Sequence, residues 1–399
     1  MSKLKIALYT RSFPPKSGGV STAHYNIYNL LKDKYEVMMF VYDETENSTS
    51  NTVVKRKTIP WVNNLLIFTL KWKYRKAKKK ISFTNVSKII NTFIPVLKMN
   101  KILKKFQPDF IIVPDNFVPA YLLKTPKKSK LILFAHHNYR RFSNQPLLEQ
   151  QDWLDLQIAY SMECKAMQKV DAVISPSEYM IKRFKDATYD KKSLFCIHNF
   201  MEDAVFNSIK EEAEKQNVLP FDKKIIYIPS AGSDIKGKRY VFEIIRRLSY
   251  NHKDIFFYLS GNLPSDLKYE LKPYKKYIYA PGHVSWEDNL KNVMNCNFGI
   301  TPNLEENFSY AILEGQASGL PFVTFDTGGN KEIVLDNQTG FVIPFLDIEA
   351  LIEKACILLQ DLSLLKSFKI NAAKECYKRF NSESILYQYD QVLKEINEL

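Results

Sequence analysis

Glycine is scarce, at 12 of 399 residues, and no Gly-x-Gly-x-x-Gly phosphate loop occurs, which argues against a nicotinamide dehydrogenase. Cysteine is also sparse. Cys164, Cys196, Cys296, Cys356 and Cys376 are scattered, with no Cys-x-x-Cys and no paired spacing. That excludes a disulfide framework, argues against a zinc site and reads as reduced, mostly buried thiols of a cytoplasmic protein. Long hydrophobic runs are missing. The run 6–9 is too short for a signal peptide, and the run 61–70 is interrupted by Asn63 and Asn64. Both fall short of the ~20 residues of a membrane-spanning helix.

The last absence is local. Residues 51–105 hold fifteen Lys or Arg and no Asp or Glu, against a net charge of +14 for the whole chain, so the remainder is close to neutral. Lys71, Lys73, Arg75, Lys76, Lys78, Lys79 and Lys80 are interleaved with Trp72 and Tyr74. Such a segment is either a solvated basic face or, over 55–105, a surface for anionic lipid, where each cation is worth ~1 kcal/mol. Nucleic acid is disfavoured because no nucleic-acid motif accompanies the charge.

At 399 residues the chain is too long for one ordinary core, so two domains are expected. Short apolar strands at 5–10, 36–42, 110–114, 131–135 and 172–175 alternate with helical segments such as 21–31. The rhythm resumes with strands at 225–229, 255–260, 298–301 and 322–325 and a helix at 237–248. Alternation of this kind implies parallel sheets covered on both faces. The expected fold class is α/β, two Rossmann-like doubly wound domains facing across a cleft. The domains are expected at 1–198, carrying the basic insert 51–105, and at 199–375, followed by a C-terminal helix at 376–399 that returns to the first domain. The second domain should open with a charged helix at 209–217.

The most informative stretch is 301–334. A strand ends at Thr301, a loop carries Glu305 and Glu306, and a helix begins near Ser309, with Glu314 on it. The amides of Phe308, Ser309 and Tyr310, next to Asn307, stand at a helix N-terminus, which attracts phosphate. One carboxylate precedes that anion site and one lies beyond it. A nucleotide-sugar has the same order: sugar hydroxyls, diphosphate, ribose hydroxyls. Carboxylates suit hydroxyls because they accept charge-assisted hydrogen bonds. Asp326-Thr327-Gly328-Gly329 follows a strand, as a backbone that approaches a ligand closely would. In the first half, Gly18-Gly19 lies between strand and helix, and His136-His137-Asn138 ends a strand.

This pattern resembles the signature of retaining glycosyltransferases of family 4, with the GT-B fold. The matching residues are Glu306…Glu314, Gly319-Leu320-Pro321, Gly328-Gly329-Asn330-Lys331-Glu332 and Gly340-Phe341-Val342-Ile343-Pro344. Gly18-Gly19-Val20, Pro176-Ser177-Glu178 and His198-Asn199 extend the resemblance over nearly the whole chain, the basic insert excepted. The resemblance implies that Glu306 binds the donor sugar, Glu314 the ribose and Lys236 the diphosphate. Eight residues past Glu305 stands Leu313, which singles out Glu306 of the doublet. The resemblance also brings Gly18 and Gly19 to the donor, and one histidine, His136 in preference to His137. An Arg that the family places five residues before the Lys is Ala231 here, with Ser230, Lys238 and Arg239 nearby as substitutes. The implied chemistry is transfer from a UDP- or GDP-linked sugar without metal or other cofactor. The leaving phosphate takes the acceptor's proton. The acceptor would be a membrane-associated glycan or lipid precursor, as in capsule, O-antigen or exopolysaccharide assembly, met at the inner face of the membrane. The substitution at Ala231 leaves room for a non-catalytic relative that serves as a scaffold or nucleotide-sugar-binding subunit.

Overall fold

A computed structural model of the chain describes residues 3–12, 19–42, 48–49, 52–57, 59–75, 82–136, 147, 152–186, 193–203, 205–207, 219–220 and 222–399. Gly18, His137, Asn138, Lys76, Lys78, Lys79, Lys80 and the whole of the helix expected at 209–217 lie outside the described residues.

The chain divides into two compact units. Met1–His198 and Ile385–Leu399 form the first, and Asn199–Ser384 form the second. In the first, β1 (Lys5–Thr10), α1 (Gly19–Leu31), β2 (Glu36–Val41), β3 (Ser48–Thr49) and β4 (Val53–Lys55) lead to α2 (Pro60–Lys73) and α3 (Thr84–Phe106). Then come β5 (Phe110–Pro114), β6 (Lys130–Phe134), α4 (Trp153–Met167), β7 (Ala172–Ser175), α5 (Glu178–Asp186) and β8 (Ser193–Cys196). The sheet order is β3-β4-β2-β1-β5-β6-β7-β8, parallel except for the short β3 at its edge. The strand Phe-Ile-Ile-Val-Pro of β5 is buried at every position. A continuous apolar run is what a central parallel strand needs, because helices cover both of its faces.

The second unit comprises β9 (Lys224–Ile228), α6 (Lys238–Asn251), β10 (Ile255–Ser260), α7 (Ser265–Glu270), β11 (Ile278–Gly282), α8 (Trp286–Met294) and β12 (Phe298–Thr301). It continues with α9 (Tyr310–Ala317), β13 (Phe322–Phe325), α10 (Asn330–Ile333), β14 (Gly340–Ile343), α11 (Ile348–Gln360) and α12 (Leu362–Phe380). Its six strands run parallel in the order β11-β10-β9-β12-β13-β14. The chain builds outward from β9 in one direction and from β12 in the other. The crevice beyond the carboxyl ends of β9 and β12 is therefore the topological switch point, where open α/β sheets bind ligands.

The expected single C-terminal helix is two. After α12 the chain breaks at Asn381 and restarts as α13 (Ser382–Glu398). Asn381 is extended, and its Oδ1 accepts from the Ser384 amide at 2.9 Å, which is N-cap chemistry. Beyond Ser384, α13 belongs to the first unit. Ile385, Tyr389, Leu393 and Ile396 are buried, Asp390 accepts from Tyr35 Oη at 2.5 Å, and Lys34 pairs with the same carboxylate.

Candidate active site

The loop after β9 and the loop after β12 are fastened to each other by backbone. The Leu304 amide donates to the Ile235 carbonyl at 2.9 Å. Gly237 precedes α6 at φ +83°, and a Cβ there would stand 1.9 Å from the Pro302 oxygen. Only glycine allows that approach. The fastening carries Lys236 to Glu306, whose Oε2 it pairs with. Glu306 Oε1 accepts from the Asn307 amide at 3.0 Å, and Oε2 accepts from Asn303 Nδ2 at 3.3 Å. Glu306 is 8% exposed, so it is a buried, held carboxylate. Glu305 is buried too, as is Leu313 eight residues on.

The double glycine of the next loop serves the same assembly. Gly328 sits at φ +59°, and a Cβ on it would lie 1.9 Å from the Glu306 carbonyl oxygen. The Gly329 amide donates to the Asn307 carbonyl at 2.8 Å, and Thr327 Oγ1 reaches the Leu304 carbonyl at 3.4 Å. The close approach that Gly328 permits is to the Glu306 backbone. The sequence pattern alone suggests a ligand in that place.

Ser309 caps α9, its Oγ accepting from the Ile312 amide at 3.4 Å. The next amides begin a helix whose first turn has no carbonyl four residues back. Phe308 turns its ring into the core against Phe380, with centroids 5.6 Å apart, so any role in anion binding falls to its backbone. On α9, Glu314 is half-buried and accepts from Trp286 Nε1 at 2.9 Å. Burial pushes its pKa up to about 7, and the indole hydrogen bond opposes that rise. Trp286 opens α8, 28 residues earlier, and no spacing in the sequence points to it.

Ala231 is fully buried, and its amide donates to the Ser260 carbonyl at 3.1 Å. Of its neighbours, Lys238 is engaged by Asp234 at 3.2 Å and Asp266 at 3.0 Å. Arg239 lies over the Tyr240 ring at 5.9 Å, and Ser230 holds φ +49°. Lys236 thus stands at the switch point without a neighbouring arginine at 231.

In the first unit, His136 follows β6 and is buried, 4.6 Å from the Phe134 ring and 5.6 Å from that of His24. His24, on α1, belongs to no motif in the sequence. It is fully buried, its Nδ1 lies 2.8 Å from the Tyr9 carbonyl, and burial lowers its pKa to about 4, so it is neutral at pH 7. Gly19 opens α1 with no atom within 4 Å of where a Cβ would stand, so packing among the described residues does not demand glycine there.

Two units of this topology, the second with a lysine–carboxylate pair at its switch point, define a protein of the GT-B class. Sucrose-phosphate synthase from Thermosynechococcus elongatus shares the fold with a TM-score of 0.72 at 15% identity, covering 99% of both chains. The Anabaena protein HepE, solved in complex with UDP, gives 0.69 at 15% identity, covering 98% of this chain and all of that one. The family model Glycosyltransferase Family 4 matches residues 17–204, and Glycosyl transferases group 1 matches 209–375. The chain belongs to the family-4 type of GT-B glycosyltransferases. N-acetyl-alpha-D-glucosaminyl L-malate synthase of Bacillus anthracis is 21% identical over 235 residues, 58% of this chain and 61% of that protein. The UDP-Gal:alpha-D-GlcNAc-diphosphoundecaprenol alpha-1,3-galactosyltransferase of Escherichia coli is 24% identical over 221 residues, 47% of this chain and 56% of that one. The matched region thus spans less than two thirds of each relative's length.

Proposed function

We propose that the protein is a retaining, metal-independent glycosyltransferase that moves a hexose from a UDP- or GDP-linked sugar to a glycan or lipid-linked acceptor. One observation carries this reading: Lys236 and buried Glu306 meet where the sheet reverses order, beside the capped start of α9. An ammonium and a helix N-terminus suit a diphosphate, and a carboxylate on each side of them suits hydroxyls. A UDP-linked donor is favoured because the Anabaena neighbour was solved with UDP and with UDP-glucose, and the Escherichia coli relative is named for UDP-Gal. That relative's name also contains a diphosphoundecaprenol acceptor, which favours a lipid-linked substrate here.

In the reaction, Lys236 leaves Glu306 for the diphosphate and neutralises the charge that grows as the sugar C1–O bond breaks. Glu306, still held by the Asn307 amide, accepts from sugar hydroxyls, and Glu314 accepts from the ribose. The acceptor oxygen bonds to C1 on the face the phosphate leaves, and its proton passes to that phosphate. In the first unit, His136, Gly18 and Gly19 are the residues that the resemblance proposes for the donor. The protein would act in the cytoplasm at the inner membrane face, where the basic segment 55–105 meets anionic lipid.

The test is donor binding and transfer in Lys236→Ala and Glu306→Ala. Losing a charge-assisted hydrogen bond worth ~1.5–3 kcal/mol should weaken the donor by about tenfold or more in Lys236→Ala. Undiminished transfer in either variant would overturn the assignment. Metal independence predicts unchanged transfer in the presence of a chelator.

A second reading rests on Ala231. With a buried methyl where the family carries an arginine, the protein would be a scaffold or sugar-nucleotide-binding subunit without turnover. Calorimetry with UDP- and GDP-sugars, followed by a turnover assay, separates the two: binding without transfer favours the subunit.

A further inference from the structure

Helix α2 carries its hydrophobicity on the outside. Its inward face presents buried Asn63, which donates to Asn91 on α3 at 2.6 Å, and partly buried Ile67 and Leu70. Trp61, Leu65, Phe68 and Trp72 are 71%, 55%, 64% and 61% exposed. Their spacing of four, three and four residues places them in one stripe along the helix. A helix stabilised only by packing would reverse this arrangement. Singly exposed apolar residues need no explanation, but a stripe of two tryptophans, a leucine and a phenylalanine does.

The surrounding charge indicates what covers the stripe. Exposed Lys71, Lys73 and Arg75 gather at the C-terminal end of α2, with the Arg75 guanidinium 4.5 Å from the Trp72 ring centroid. On α3, Lys88, Lys101, Lys104 and Lys105 are exposed, and residues 51–105 contain no acid to offset them. A symmetric contact with a second copy of this chain would press the basic segment against itself. Nucleic acid would answer the charge but would leave Leu65 and Phe68 without an apolar partner. An anionic bilayer offers phosphates at its surface, apolar chains beneath them and a boundary layer that tryptophan favours.

We propose that α2 lies in the plane of an anionic membrane, with Trp61, Leu65, Phe68 and Trp72 sunk past the headgroups and the flanking cations on lipid phosphates. This deepens the reading of a lipid-linked acceptor and rests on it. It differs from attraction by charge alone, because the apolar stripe carries much of the affinity.

The experiment compares the full chain with Leu65→Asn/Phe68→Asn, which keeps every charge. Phosphatidylcholine vesicles with and without phosphatidylglycerol, and the same vesicles with brominated acyl chains, are the probes. The full chain should bind the phosphatidylglycerol vesicles, and brominated chains should quench its tryptophan emission. Quenching should vanish in Trp61→Phe/Trp72→Phe, with Trp153 and Trp286 as internal reference. The double Asn variant should bind at least about tenfold more weakly, since a buried Leu or Phe is each worth more than a factor of ten. Equal binding by both chains, or no quenching, would leave charge alone as the attraction and overturn the proposal. So would a lipid-free dimer that the Asn substitutions dissociate, or loss of RNA binding with vesicle binding intact. Calorimetry with UDP on the same variants keeps the readings apart: UDP binding should be unchanged. Vesicle binding that fails while UDP still binds sinks this inference and leaves the donor site standing.

Discussion

At Gly328 a methyl group would have nowhere to go. An alanine there would hold φ +59° and place its Cβ against the Glu306 carbonyl, so the Glu306 loop must shift. Gly328→Ala should cost about 1–3 kcal/mol and weaken donor binding, read by thermal unfolding and calorimetry. Gly19→Ala is the contrast. Among the described residues nothing crowds a Cβ there, so stability should hold, and a loss of donor affinity without a change in Tm would report close approach of the ligand. Glu314 sets a pH dependence. Its pKa stands at about 7 in the folded protein against 4.5 ordinarily. Between those values the native state keeps a proton that the unfolded chain has released. The stability tied to it is therefore full below 4.5 and gone by about 7. In the proposed donor site the ionised carboxylate would accept from ribose, so donor affinity should climb as pH rises through about 7. Trp286→Phe removes the bond that opposes the rise, so that midpoint should move to higher pH; an unmoved midpoint would deny Trp286 this positioning role. Glu306 and Glu314 lie in a strand–loop–helix succession that the sequence shows, whereas Lys236 is singled out only by the family resemblance. Trp286 is singled out by neither, because its bond to Glu314 crosses 28 residues.

Among the elements, α3 shows how the basic segment is held. The Asn85 and Val86 amides donate to Asp155 of α4 at 2.7 and 2.9 Å, so an acid outside the segment caps its longer helix. Asp155→Ala should lower stability by ~1 kcal/mol, the ordinary worth of such a cap, and loosen vesicle binding with it. A shift in Tm without change in vesicle binding would separate the cap from the membrane surface. Strands such as β1, β5, β7, β10, β12 and β13 were legible to the residue, because a buried parallel strand is an unbroken apolar run between turn signals. The short β3 and the half-buried β8 and β11 lack that run. Helix α2 was read only as an apolar stretch, since a stripe facing outward gives no helical signal against a core. Pro95 inside α3 argues for a break that the fold does not make.

Across the whole molecule, two units were visible in the doubled strand–helix rhythm, and the charge partition was visible in a simple count. The return of the C-terminus to the first unit belongs to the fold that the resemblance implies; the break at Asn381 was not legible, because Asn reads equally as a turn residue or a cap. Removing 385–399 should strip the first unit of buried Ile385, Tyr389, Leu393 and Ile396, together with the carboxylate that Lys34 and Tyr35 share. The first unit's unfolding transition should fall by several degrees, while that of residues 199–384 stays in place. A common drop in both would contradict the division.

That division also imposes an order on synthesis. Residues 199–384 are synthesised before 385–399, so the first unit waits for α13 until the chain of the whole second unit has been made. Until then the first unit lacks the helix that contributes Ile385, Tyr389, Leu393 and Ile396 to its core, and apolar surface left uncovered in this way is what chaperones and proteases recognise.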